Sequence, residues 1–273
     1  MFVVKCPECG SYHVVRTGES PLRFKCKLCY NKFSITVPLP NHDGQSRRIP
    51  AYVKARIMAD LILGRSIPWL MREYGVSKGT VLRIKRYFQT GRMMYVWRIN
   101  YDEVDFLYRE IGRGILRQGW GVEGMDLRRG PEAFVRAWKE NGWKGSKQTI
   151  VRRYNVLKVM LVIKPGDYVI VPKLPHDHAF TLVEVIEGYN FAVAKEYGDY
   201  GHYVRVRKLG EFSSAFEDLE TLREEYRYDV QWINEMLRSV RGFYSAVAVV
   251  GREFRRMYEV VERLLGKKLI SQV

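Results

Sequence analysis

The sequence predicts an α+β chain of several modules: a zinc ribbon, a helix-turn-helix, a small β-barrel, and a C-terminal long helix or coiled coil. Three observations predict it. All four cysteines fall in two Cys-x-x-Cys pairs within the first 30 residues. The basic charge is concentrated in the first 100 residues. Apolar residues recur at helical spacing from about residue 52 to 88, then in short runs between Gly and Pro, and finally every seven residues. The boundaries expected from these changes are 1–40, 49–92, 100–212 and 215–266.

The first module rests on Cys6, Cys9, Cys26 and Cys29. Two such pairs supply the thiolates of a closed, tetrahedral zinc site, so the metal expected here is structural Zn2+. No hydrophobic leader precedes the pairs, which disfavours disulfides and points to a cytoplasmic protein. Gly10 and Asn31 follow the two pairs and tolerate the left-handed turn that aims backbone amides at sulfur. Between the pairs, Tyr12 and Val14, a turn at Gly18, and then Leu22 and Phe24 read as a hairpin. A segment of this size lacks a sufficient core without such a staple.

Charge narrows the partner. Residues 1–100 hold 18 Lys/Arg against 5 Asp/Glu, so they carry most of the formal net charge of +16. A phosphate polyanion is the natural partner of such a segment, and a nucleoid-associated location follows. No apolar run is long enough for a membrane span.

The second module begins after a polar linker, Asn41 to Arg48. Val53, Ile57, Leu61 and Ile62 share one face of a helix that ends at Gly64. Ser66 caps a second helix with Pro68 in its first turn. Gly75 makes a tight turn, and Ser77 caps a third helix with Val81, Ile84 and Phe88 facing inward. This is a helix-turn-helix pattern whose third helix would enter the major groove. Its outward residues are Lys78, Thr80, Arg83, Lys85 and Arg86. The first three lie where base edges are reached, the last two where phosphate is reached.

The cysteine pairs with Gly10-Ser11, Val14-Val15, Gly18, Phe24 and Phe33-Ser34 resemble the N-terminal zinc ribbon of insertion-sequence transposases. Gly64-x-Ser66 and Gly75-Val76-Ser77-x-x-Thr80-Val81 are similar to the helix-turn-helix that follows it there. The resemblance covers about residues 1 to 90 and implies DNA docking. It stops before the three spaced acidic residues of the transposase core. Asp102, Glu103 and Asp105 cluster on one predicted helix, so strand transfer is not implied.

In the third module, helices are expected over 101–112, 131–141 and around 149–160. Strands are expected at 168–171, 180–186, 189–194 and 203–206, closing into a compact barrel. Gln118-Gly119-Trp120-Gly121, Lys164-Pro165-Gly166-Asp167-Tyr168 and Asp199-Tyr200-Gly201-His202 resemble the PUA-like domain of modification-dependent restriction enzymes. That resemblance implies a pocket for a flipped, modified base. Trp120, Tyr189 and Tyr200 would stack on the base, and Asp199 and His202 would read its edge. RNA is a further partner for a barrel of this kind.

No catalytic constellation stands out. His176-Asp177-His178 offers three adjacent ligands in a loop, which is not a nuclease site by itself. Binding is therefore expected rather than catalysis, with a divergent transposase or modification-dependent nuclease as the alternative. In the last module, Ile233, Val240, Val247, Phe254 and Val261 form one heptad series. Met236, Phe243, Val250, Met257 and Leu264 form the other. They predict a coiled coil or bundle and a homodimer through 215–266, with Gly242 and Gly251 as its break points.

Overall fold

The computed structural model describes three strands of the first 48 residues, then residues 49–99, 103–194, 196–215, 218, 220, 224–239, 246–250 and 255–266. The chain divides into two compact units, 1–48 and 49–273.

In the first unit, β1 (Val14–Glu19), β2 (Leu22–Cys26) and β3 (Lys32–Ile35) form an antiparallel sheet in that order. The predicted hairpin is present, but Gly18 is not its turn. Gly18 lies inside β1 opposite Arg23, beside a register shift after Arg16. Cys26 closes β2 opposite Val14. Cys6, Cys9 and Cys29 lie outside the described residues.

The second unit begins with α1 (Ala51–Ile62), α2 (Ile67–Tyr74) and α3 (Lys78–Gln89). Then come β4 (Met94–Trp97), α4 (Val104–Gly112), β5 (Ile115–Gln118), α5 (Gly130–Glu140) and α6 (Lys147–Leu157). A 3-10 turn over Lys158–Val162 prolongs α6. The chain continues through β6 (Tyr168–Pro172), β7 (Ala179–Phe191), β8 (His202–Ser213), α7 (Glu224–Ser239), β9 (Val247–Val250) and α8 (Arg255–Leu265). The fold is α+β, as expected.

Its centre is a six-stranded mixed sheet in the order β5-β8-β7-β6-β4-β9. Only β4 and β6 pair in parallel. The expected barrel is thus an open ladder, and it recruits β4 and β9 from outside the segment 100–212. Its two edges nevertheless meet through side chains. Gln118 Nε2, on β5, donates to the carbonyls of Arg98 at 3.0 Å and Ala246 at 3.1 Å, beside β4 and β9. Trp97 Nε1 donates to the Arg117 carbonyl at 3.0 Å. The strands expected at 180–186 and 189–194 are one strand, β7, which carries its bends as register shifts within the β7–β8 ladder.

Both faces of the sheet are covered. Tyr95, Trp97, Val169, Val171, Val183, Val204 and Val249 pack with α1 to α6. Met94, Val96, Tyr168, Ile170, Phe180, Leu182 and Val250 pack with Val230 and Ile233 of α7 and with Met257, Val260 and Val261 of α8. Strands covered twice lose the apolar-polar alternation, which is why Met94-Tyr95-Val96-Trp97 is buried throughout.

The C-terminal heptads are corrected accordingly. Val247 and Val250 belong to β9, not to a helix. Ile233, Met257 and Val261 cover the sheet of their own chain. Arg263 clamps α8 to α7 through two hydrogen bonds to Asp229, at 2.6 and 2.7 Å. Val240, Phe243, Gly242, Gly251 and Phe254 lie outside the described residues. Among the described residues, no helix is long and apolar enough to cross a membrane.

Candidate nucleic-acid interface

The first three helices form where the sequence places their caps. Ser66 Oγ accepts from Trp69 N–H at 3.3 Å, with Pro68 in the first turn of α2. Gly75 ends α2 with φ +62°, a conformation costly for any residue with a Cβ. Ser77 Oγ accepts from Thr80 N–H at 3.2 Å and starts α3. Val81, Ile84 and Phe88 are buried and hold α3 against α1 and α2. Lys78, Leu82, Arg83, Lys85, Arg86 and Gln89 remain exposed. Thr80 is half-buried, and its hydroxyl is taken up by the cap: it lies 3.0 Å from Ser77 Oγ and accepts from Arg83 Nη2 at 3.2 Å. It thus orients Arg83 rather than facing outward itself.

A buried ion pair fixes these helices to the turn that follows α6. Lys158 Nζ donates to both carboxylate oxygens of Asp60 at 2.8 and 2.9 Å, and both side chains are almost fully buried. Tyr74 of α2 donates to the same carboxylate at 2.5 Å. Burial pushes the Lys158 ammonium below its ordinary range, and Asp60 pulls the other way. One carboxylate on α1 thereby joins α2 to the turn that follows α6. The partners are 98 residues apart, a pairing that no local pattern reveals.

The expected base pocket is filled. His202 is fully buried, its ring centre 6.4 Å from that of Phe134 and 5.3 Å from that of Phe191. Its Nε2 lies 3.1 Å from the Trp120 carbonyl, which can only accept, so Nε2 carries the proton. Its Nδ1 lies 3.0 Å from Tyr189 Oη and accepts from that hydroxyl, which in turn accepts from Leu127 N–H at 3.0 Å. Burial lowers the imidazole to about 4, so it is neutral at physiological pH. Tyr200 is buried as well, hydrogen-bonded to Glu103 and packed on Phe106.

Asp199 is half-buried. Burial raises its carboxyl, opposed by backbone N–H donors that include Trp120. A Cβ on Gly201 would lie 2.2 Å from the Gly121 carbonyl, and one on Gly121 would lie 2.8 Å from the His202 ring. These glycines let two loops close on each other and leave no room between them for a base. Tyr200 and His202 are buried in the core.

Trp120 and Tyr189 remain half-buried. The Arg153 guanidinium sits 4.8 Å from the Trp120 ring centre and 4.8 Å from that of Trp138. That of Arg128 lies 5.6 Å from Tyr189. Both rings are therefore engaged by cations of the same chain. The loop His176-Asp177-His178 is exposed, and Asp177 pairs with Lys173 at 3.0 Å. Among the described residues, no three His, Cys, Asp or Glu side chains converge as a metal site.

No protein-family model, curated protein or solved structure matches this chain.

Proposed function

We propose that this protein binds duplex DNA, with α3 in the major groove and the N-terminal cysteine module as a further docking platform. The observation that carries this reading is the division of α3 into two faces. Val81, Ile84 and Phe88 are buried, while Lys78, Arg83, Lys85 and Arg86 project from a capped helix in a chain of net charge +16. A basic outward face with an exposed Leu82 suits phosphates, guanine edges and a thymine methyl.

In this reading Cys6, Cys9, Cys26 and Cys29 hold a structural zinc ion. Cys26 closes β2, and Cys29 follows it three residues later in the sequence, at the spacing of a Cys-x-x-Cys pair. Four thiolates fill a tetrahedral shell, so the ion would contribute folding energy rather than catalysis.

Selection of bound sequences from a random DNA pool tests the proposal. The full chain should yield a defined motif, and Lys78→Ala with Arg83→Ala should weaken binding about 10- to 100-fold and relax that motif. A motif and affinity unchanged in the double variant would sink the assignment of α3.

A further inference from the structure

A second helix-turn-helix pair follows the first, and its sequence repeats it. Around the first turn the chain reads Arg72-Glu73-Tyr74-Gly75-Val76, then Ser77-Lys78-Gly79-Thr80-Val81-Leu82-Arg83. Around the second it reads Lys139-Glu140-Asn141-Gly142-Trp143, then, after Lys144-Gly145, Ser146-Lys147-Gln148-Thr149-Ile150-Val151-Arg152. Glu, Gly, Ser, Lys, Thr and Arg recur in register, and Lys144-Gly145 is the sole insertion.

The structure repeats with the sequence. Gly75 and Gly142 take left-handed φ values of +62° and +73°. The residue after each glycine bonds back to a carbonyl five residues earlier, Val76 to Met71 at 3.3 Å and Trp143 to Trp138 at 3.1 Å. Ser77 Oγ accepts from Thr80 N–H, and Ser146 Oγ from Thr149 N–H, both at 3.2 Å. The paired hydroxyls lie 3.0 and 2.9 Å apart. Val81 and Ile150, the first inward residues, are both fully buried.

The outward face of α6 repeats the basic character of α3. Lys147, Gln148, Thr149 and Arg152 are exposed, as is Lys144 in the turn. By contrast, Arg153, one residue further on, is held between Trp120 and Trp138 and fixes the helix to its own fold.

We infer that α5 and α6 form a second DNA-reading unit, with α6 presenting Lys147, Gln148 and Arg152 to a second stretch of the same duplex. This rests on the DNA-binding reading of α3. The two reading helices belong to one compact unit. Asp60 on α1 is ion-paired with Lys158, the residue that directly follows α6. The protein therefore reads two groove segments at a fixed separation from one chain, and its site needs no palindrome.

Footprinting the full chain on its selected sequence decides this. Two protected patches are expected. Lys147→Ala with Arg152→Ala should erase one patch, lower affinity about 10- to 100-fold and reduce the salt slope by up to about 2. Lys78→Ala with Arg83→Ala should erase the other. Both pairs are exposed, so the melting temperature should stay that of the parent chain. Inserting about five base pairs, half a helical turn, between the patches should also abolish two-patch binding. An α6 variant with unchanged footprint, affinity and salt slope, beside an α3 variant that loses its patch, overturns the second unit and leaves the first. Loss of binding in the α6 variant alone overturns the role of α3 and keeps that of α6. A parent chain that protects no DNA overturns both.

Discussion

At the scale of single residues, His202 shows how a side chain suited to base recognition becomes a structural one. Both ring nitrogens are bonded inside the fold, and burial holds the imidazole near 4 against an ordinary value of 6.5. The consequence for stability has a definite sign. Between those two values the unfolded chain binds a proton that the folded chain refuses, so stability falls as pH drops through that window. Urea unfolding at pH 7 and pH 5 should show about 2 kcal/mol of acid destabilisation from this residue. His202→Gln should shrink that pH dependence by a similar amount. An identical dependence in the variant would mean that the buried neutral imidazole is misassigned. The aromatic residues and glycines around His202 were visible in the sequence. Their burial was not, because Gly121 and Gly201 look the same whether loops close on each other or open around a ligand.

At the scale of elements, caps and turns carried most of the information. Ser66, Gly75 and Ser77 mark the ends of α2 and α3 where the structure has them, since capping is a local hydrogen-bond requirement. The strands were less legible. Met94–Trp97 and Val247–Val250 are four-residue apolar runs buried on both faces, and such runs carry no period. Val247 and Val250 also fall three residues apart, a spacing that a heptad reading absorbs. The joint between elements is the Asp60–Lys158 pair. Asp60→Asn leaves the Lys158 ammonium buried without its counter-charge and should cost about 3–5 kcal/mol in chemical denaturation. Asp60→Leu combined with Lys158→Met should cost clearly less than the sum of the single changes. Additive costs would show that the two side chains do not act as a pair.

At the scale of the whole molecule, the C-terminal segment completes the sheet. A chain ending at Phe212 would lose α7, β9 and α8 and uncover Met94, Val96, Tyr168, Ile170, Phe180 and Leu182. Burying one such side chain is worth roughly 1.5–3 kcal/mol, so six amount to roughly 9–18 kcal/mol, as much as the roughly 5–15 kcal/mol that stabilises a typical domain. The shortened chain should lose cooperative melting and aggregate. The full chain should scatter light as a single copy, because Ile233, Val247, Val250, Met257 and Val261 of the expected seam are already packed within it. A soluble, cooperatively melting fragment would refute this account of the core. By itself the sequence determined the cysteine quartet, the basic first third and the capped helices around Gly75, because each is specified by neighbours a few residues apart. Only the tertiary structure decided that the barrel-forming strands make an open sheet, that Ile233, Met257 and Val261 cover it, that Tyr200 and His202 belong to the core, and that α1 is bonded to the end of α6. Those outcomes depend on which distant surfaces exclude water together, and a spacing pattern contains no term for that.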